Sequence, residues 1–213
     1  MSTTEIPESV QPRRRLSRED RQRQLRDMAW QLIREEGTDA LTLGYLAEKA
    51  GVTKPVVYDH FTTRAGLLAA LYQDFDRRQT ALMDAALDNC EATLSGTASV
   101  IATSYVDCVL TQGNEIPGVI AALASTPELE KIKREYEAIF LEKCRRVLSP
   151  FADGGDITQA GLRAMLGAAE ALSQAAATDE ISAAQARDEL FATITAMVER
   201  AAVSAAKQVT DGT

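Results

Sequence analysis

The sequence predicts an all-α protein: an N-terminal three-helix head carrying a helix-turn-helix, fused through a fourth helix to a helical C-terminal body, about nine helices in all. Three observations predict this. Alanine is abundant and aromatic residues make up only 5% of the chain, which favours helices over sheets. Apolar residues recur at three- and four-residue spacing, between recognisable caps. The stretch Leu41 to Phe61, LTLGYLAEKAGVTKPVVYDHF, reads as two short helices joined by a tight turn.

The elements follow in order. Residues 1–16 form a polar arm with two prolines, ending in Arg13, Arg14 and Arg15. These arginines suit phosphate or minor-groove contact, or simply a solvated basic run. Residues 17–65 form the head. Ser17 caps the first helix with Asp20 at the capping-box position, and Leu25, Met28, Ala29, Leu32 and Ile33 face the core. Gly37 ends that helix. Trp30 lies off the stripe and is expected to pack against the next domain. Thr42 caps the second helix, with Leu41 and Leu46 as a hydrophobic staple and Leu43, Leu46, Ala47 and Ala50 as its buried stripe. Gly51 supplies the left-handed turn. Thr53 caps the third helix, Val52 and Val57 repeat the staple, and Pro55 falls in the first turn, where a missing N–H is harmless. Val57 and Phe61 are expected inside. Lys54, Pro55, Val56, Tyr58 and His60 then face outward. A short capped helix bearing cationic and aromatic residues is what a helix-turn-helix lays in a major groove.

Residues 66–213 form the body. The fourth helix opens at Thr63–Arg64, runs through Leu67, Leu68, Leu71, Tyr72 and Phe75, and joins head to body without a linker. Further helices are expected over about 98–112, ended by Gly113, then a short one after Pro117. Another starts at Thr126–Pro127 and stops before Pro150. A loop at 153–156 precedes helices at about 158–177 and, from a Ser182/Gln185 capping box, to about Ala206. The last two helices are rich in small residues, among them Ala164, Gly167, Ala168, Ala171, Ala192 and Ala196, which permit close helix approach within one chain or between two.

Composition bounds the function. With 213 residues and 46% hydrophobic content the chain can bury a substantial core. No apolar run reaches the roughly 18 residues of a membrane span, and no signal core opens the chain, so a cytoplasmic protein with no membrane partner is expected. The odd number of widely spaced cysteines, Cys90, Cys108 and Cys144, reads as free thiols in a reducing compartment. Net charge is −8, yet it is unevenly spread: residues 1–65 carry 11 Lys+Arg against 10 Asp+Glu, and residues 13–34 carry eight arginines against three acids. The basic footprint lies beside the helix-turn-helix, as phosphate binding requires. The lone histidine, His60, sits on the outward helix; no zinc-ligand spacing, phosphate loop or nucleophile elbow occurs. Neither catalysis, nor a metal, nor a cofactor is expected.

From Leu41 to Leu68 the chain resembles the DNA-binding domain of TetR/AcrR-like transcriptional regulators. The resemblance rests on the A-x-x-A-G-V-[ST] turn at Ala47 to Thr53, the Y-x-H-F end at Tyr58 to Phe61, and the Thr63–Arg64 helix opening. It implies a homodimer bound to a palindromic double-stranded operator, usually a repressor released by a small organic ligand. It places Thr42, Tyr58, His60 and Arg64 on phosphates, and Thr53, Lys54, Pro55 and Val56 nearest base edges. Lys54 suits guanine and Val56 a thymine methyl. The third helix offers no Asn, Gln or Arg for bidentate reading, so DNA shape and Tyr45 or the arginine arm are expected to add specificity. The resemblance also implies a four-helix dimer interface from the last two helices and a pocket in the body. Pocket candidates are Phe75, Met83, Tyr105, Cys108, Val109, Gln112, Tyr136, Phe140, Cys144 and Met165, which could equally be plain core. Two alternatives stay open: a redox-sensing regulator acting through Cys108 or Cys144, and a helical ligand-binding protein or enzyme with vestigial DNA binding.

Overall fold

The computed structural model describes residues 16–112, 115–123 and 127–211, and among these every regular element is helical. Arg13, Arg14 and Arg15 lie outside the described residues. The head holds α1 (Arg18–Glu36), a 3-10 turn at Thr38–Ala40, α2 (Leu43–Lys49) and α3 (Lys54–Phe61). Next comes α4 (Arg64–Asp88). The body adds α5 (Leu94–Gln112), α6 (Glu115–Leu123), α7 (Pro127–Leu148), α8 (Gln159–Ala177) and α9 (Ala183–Asp211).

Most caps follow from the sequence. The hydroxyls of Ser17, Thr42, Thr63 and Thr158 accept the N–H of Asp20, Tyr45, Gly66 and Gly161. The Ser182/Gln185 box closes in both directions at 2.9 and 3.1 Å. The Ser17/Asp20 pair instead links hydroxyl to carboxylate at 2.7 Å. Thr53 occupies the cap position of α3 but its side chain makes no cap bond. The α2–α3 turn is a Schellman motif: Gly51 N–H donates to Glu48 O and Val52 N–H to Ala47 O, with Gly51 at φ 64°. Between α3 and α4 the chain makes a γ-turn: Thr63 N–H donates to Phe61 O, and Thr62 sits at φ 59°, ψ −50°. That backbone costs a β-branched residue of order 1–3 kcal/mol. It turns α4 sharply back along the head.

Boundaries shift where a cap was overlooked. Thr93 accepts the Gly96 N–H, so α5 starts at Leu94 rather than near residue 98. Pro117 lies inside the first turn of α6, not ahead of it, because proline's missing N–H is unused there. Helix α9 runs to Asp211, beyond Ala206.

Two apolar clusters organise the chain. One gathers Leu25, Ala29, Leu32, Leu41, Leu46, Val57 and Phe61 with Leu67, Leu68, Leu71 and Tyr72 of α4, and it takes in Val119 of α6. Trp30, expected to reach the next domain, is buried in this same cluster. The other joins α5, α7, α8 and α9 through residues such as Ile101, Val106, Leu141, Leu162, Leu190 and Ile194. The α4 helix runs between them.

Candidate functional site

The outer face of the head is built by α3 on the platform of α1 and α2. Val57 and Phe61 are buried and anchor α3, which leaves Thr53, Lys54, Pro55 and Tyr58 exposed and Val56 and His60 half-buried. Tyr58 is 50% exposed, a large ring facing water. The Lys54 stem runs over α2 at Gly44, its Cε 3.6 Å from where a Gly44 Cβ would sit. Thr42 is exposed, with its oxygen engaged in the α2 cap. Arg18 Nη1 meets Asp59 Oδ2 at 3.0 Å and straps α1 to α3. His60 is held below the usual histidine value chiefly by burial, with Arg18 and Arg21 adding to the shift and Asp59 opposing it. Two arginines of α1 therefore stand close enough to His60 for their fields to reach it.

Two head residues named for DNA contact make side-chain bonds within the head. Tyr45 turns toward α1: its hydroxyl donates to Glu36 at 2.7 Å, and Lys49 Nζ lies 5.0 Å from its ring centre. Arg64 donates from Nε to Leu41 O and from Nη2 to Thr38 O, both at 2.8 Å. Its fork closes the corner between the 3-10 turn and α4. The Thr38 carbonyl already accepts the Leu41 N–H in the 3-10 turn, and Arg64 adds a charged donor to it and to the Leu41 carbonyl where the turn meets α4.

A cavity of about 140 Å³ opens between α4, α5, α6, α7 and α8. Phe75, Met83, Tyr105, Cys108, Val109, Tyr136 and Phe140 line it, seven of the ten residues named from sequence. Cys144 and Met165 do not; both are core of the second cluster. The Gln112 side chain lies outside the described residues. A search for apolar spacing missed the polar lining: Asp76, Gln79, Thr80, Ser104, Lys133, Glu137 and Glu170. A signal existed, since Tyr72, Asp76, Gln79, Thr80 and Met83 share one stripe of α4 at helical spacing. Tyr72 and Tyr136 meet edge to face at 5.4 Å, and Tyr105 lies 5.7 Å from Phe140. Burial pushes both the Cys108 and Cys144 thiols up to about 12.

On α8 and α9 most of the small residues named from sequence face outward, while Ala168 packs against the second cluster. Ala164, Gly167, Ala171 and Ala192 are exposed, and Ala168 and Ala196 half-buried. Nothing lies within 4 Å of a Cβ built at Gly167. The helices pack on each other through their opposite faces, Leu162, Met165, Leu166 and Ala169 against Leu190, Ile194, Met197 and Val198. Among the described residues no group of His, Cys, Asp and Glu could hold a metal, and no helix is long and apolar enough to cross a membrane.

A short helix presented on a second across a tight turn, with arginines of α1 beside it, has the geometry of a helix-turn-helix head. Residues 25–71 match the model of the tetR family of bacterial regulatory proteins. Over that stretch the chain is similar to the DNA-binding domain of tetR-family bacterial regulatory proteins. Its fold is shared over most of the chain with solved structures at low identity. A transcriptional regulator assigned to the TetR family, from Rhodococcus sp., matches at TM-score 0.70 and 19% identity over 84% of this chain and 100% of its own. The fatty acid degradation regulator FadR from Bacillus halodurans matches at 0.66 and 15%, over 82% and 94%. A TetR-family transcriptional regulator from Streptomyces coelicolor matches at 0.64 and 16%, over 86% and 97%. No curated protein matches by sequence.

Proposed function

We propose that the chain is a homodimeric repressor that leaves a palindromic operator when a small organic molecule enters the cavity. One observation carries this reading: α4 is a single 25-residue helix with Arg64 bonded into the head at one end and Tyr72, Phe75, Asp76 and Met83 on the cavity wall further along. A molecule wedged into the cavity displaces α4, and the head moves with it. Both half-sites bind only when the spacing of the two heads matches the groove, so a small displacement suffices. The division into arm (1–16), head (17–65) and body (66–213) is functional in this reading, with α4 shared between the last two.

Operator contact falls to Arg13, Arg14 and Arg15 of the arm, to Thr42, Thr53, Tyr58 and His60 for phosphates, and to Lys54, Pro55 and Val56 for bases. The committed hydrogen bonds of Arg64 and Tyr45 argue for supporting roles for those two. The outward small-residue faces of α8 and α9 suit a partner's identical faces, because exposed Gly167 and Ala171 permit close approach. Redox sensing through Cys108 or Cys144 has the chemistry against it, since a reactive thiol needs a lowered pKa and burial raises both. The test is selection of bound duplexes from a random pool, followed by ligand screening for release. The reading requires a two-fold symmetric consensus and a ligand whose affinity falls when operator is bound.

A further inference from the structure

The cavity wall mixes two kinds of group. Aromatic rings come from α4, α5 and α7: Tyr72 stacked edgewise on Tyr136, and Tyr105 beside Phe140. Carboxylates come from α4, α7 and α8: Asp76, Glu137 and Glu170, against one ammonium, Lys133. That ammonium is already spent. Lys133 Nζ lies 3.2 Å from Glu137 and 3.6 Å from Glu170, and Arg163 meets Glu137 at 2.7 Å from outside the wall. The nearest further cation, Lys143, is gripped by both oxygens of Asp84. Asp76 makes no hydrogen bond or ion pair among the described residues; burial raises its carboxyl, the charge of Lys143 opposes that shift, and its own field reaches the hydroxyls of Tyr72 and Tyr136 and the thiol of Cys108.

Taken with the ligand-release reading above, on which this inference rests, we propose that the cavity takes a small monovalent organic cation, held against the faces of Tyr72, Tyr105 and Tyr136 with Asp76 as its counter-charge. Ring faces carry negative quadrupole potential, and a cation within about 6 Å of them is attracted, more so where water is excluded. An anion meets the opposite: three carboxylates, and no cation without a partner among those lining the wall. The space, close to that of an apolar cavity that holds one benzene ring, admits a trimethylammonium-sized head and not a long chain.

The test compares three probes of nearly equal shape by calorimetry on the full chain: choline, the neutral 3,3-dimethylbutan-1-ol and the anionic 3,3-dimethylbutanoate. Choline is expected to bind one per chain, roughly tenfold or more tighter than the alcohol, and the anion not at all. Asp76→Asn should cost choline roughly tenfold and leave the alcohol unchanged, and Asp76→Glu should recover most of the loss. The comparison in the unmutated chain holds even if Asp76→Asn folds poorly. Alcohol binding as tight as choline, or no binding of choline, overturns the cation assignment while leaving the cavity available to other ligands. Choline binding that Cys108→Trp leaves intact puts the probe outside the cavity and overturns the ligand-site reading as well.

Discussion

Arg64 Nη2 donates to the Thr38 carbonyl at 2.8 Å, so the first residue of α4 is bonded to the turn that closes α1. The other side of Thr38 faces the body. A Cβ built at Gly118 of α6 would fall 2.5 Å from Thr38 Oγ1. Thr38 is thus held between α4 and α6, and both helices line the cavity through Tyr72 and Ile120. The head therefore has two attachments to the cavity wall: α4, which is continuous with it, and α6, which is pressed against it.

Arg64→Ala leaves two carbonyls without their charged donor. The expected loss is about 1–3 kcal/mol of stability, read as a lower urea midpoint. Arg64→Lys should recover little, since an ammonium cannot bridge both carbonyls in a fixed fork. The salt slope of DNA binding should stay near that of the unmutated chain. A slope flattened by one ion would return Arg64 to the phosphates.

Gly118→Ala drives a methyl into Thr38 Oγ1. Overpacking of this kind costs about 1–3 kcal/mol. DNA affinity should fall with no ligand present, as α6 moves off the head to relieve the clash. Adding Thr38→Ala removes the clashing oxygen and should restore most of both losses. Additive effects in the double variant would show that the two residues do not touch.

His60 gives DNA binding a pH dependence whose sign follows from its lowered pKa. In the free protein burial and Arg18 disfavour the imidazolium, so the associated stability is present above about 6.5 and lost as pH falls through the lower folded value. Phosphates favour the charged form. Operator affinity should be flat between about pH 7 and 8 and rise below about 6.5 as binding takes up a proton. His60→Gln should remove that rise without changing affinity at pH 8. A dependence that survives the substitution points to another group.

Cys108 and Cys144 should resist alkylation at neutral pH, because burial holds both thiols near 12 and leaves almost no thiolate. Cys90, for its part, is half-exposed. Mass spectrometry after brief iodoacetamide treatment should find the label on Cys90 alone. Rapid labelling of Cys108 or Cys144 would revive the redox alternative.

The head was largely legible in the sequence because its signals are local: caps at Ser17 and Thr42, the staple at Leu41 and Leu46, and a left-handed Gly51 each act within five residues. The bonds of Arg64 within the head were not legible, for the opposite reason. Its partners, the Thr38 and Leu41 carbonyls, lie more than twenty residues away and become acceptors only once the turn has formed. Tyr45 was drawn to Glu36 in the same way. In the body, helical spacing marked the apolar half of the cavity wall but not Asp76 or Glu137. A polar residue on an inward stripe looks like any solvated position until its neighbours are known. Cys144 and Met165 show the converse, since apolar spacing alone does not separate a cavity wall from a filled core.

The most direct test is the affinity of a selected palindromic duplex for the unmutated chain and for Cys108→Trp, followed by fluorescence anisotropy. Cys108 lies on the cavity wall, far along the chain from α3, and an indole there fills the space a ligand takes. The coupled account predicts the duplex bound by paired chains, with affinity weakened about 5- to 150-fold in the filled variant while its helical content and dimerisation persist. Equal affinity in a folded, dimeric Cys108→Trp chain would contradict it, because the cavity could then be filled without the head responding.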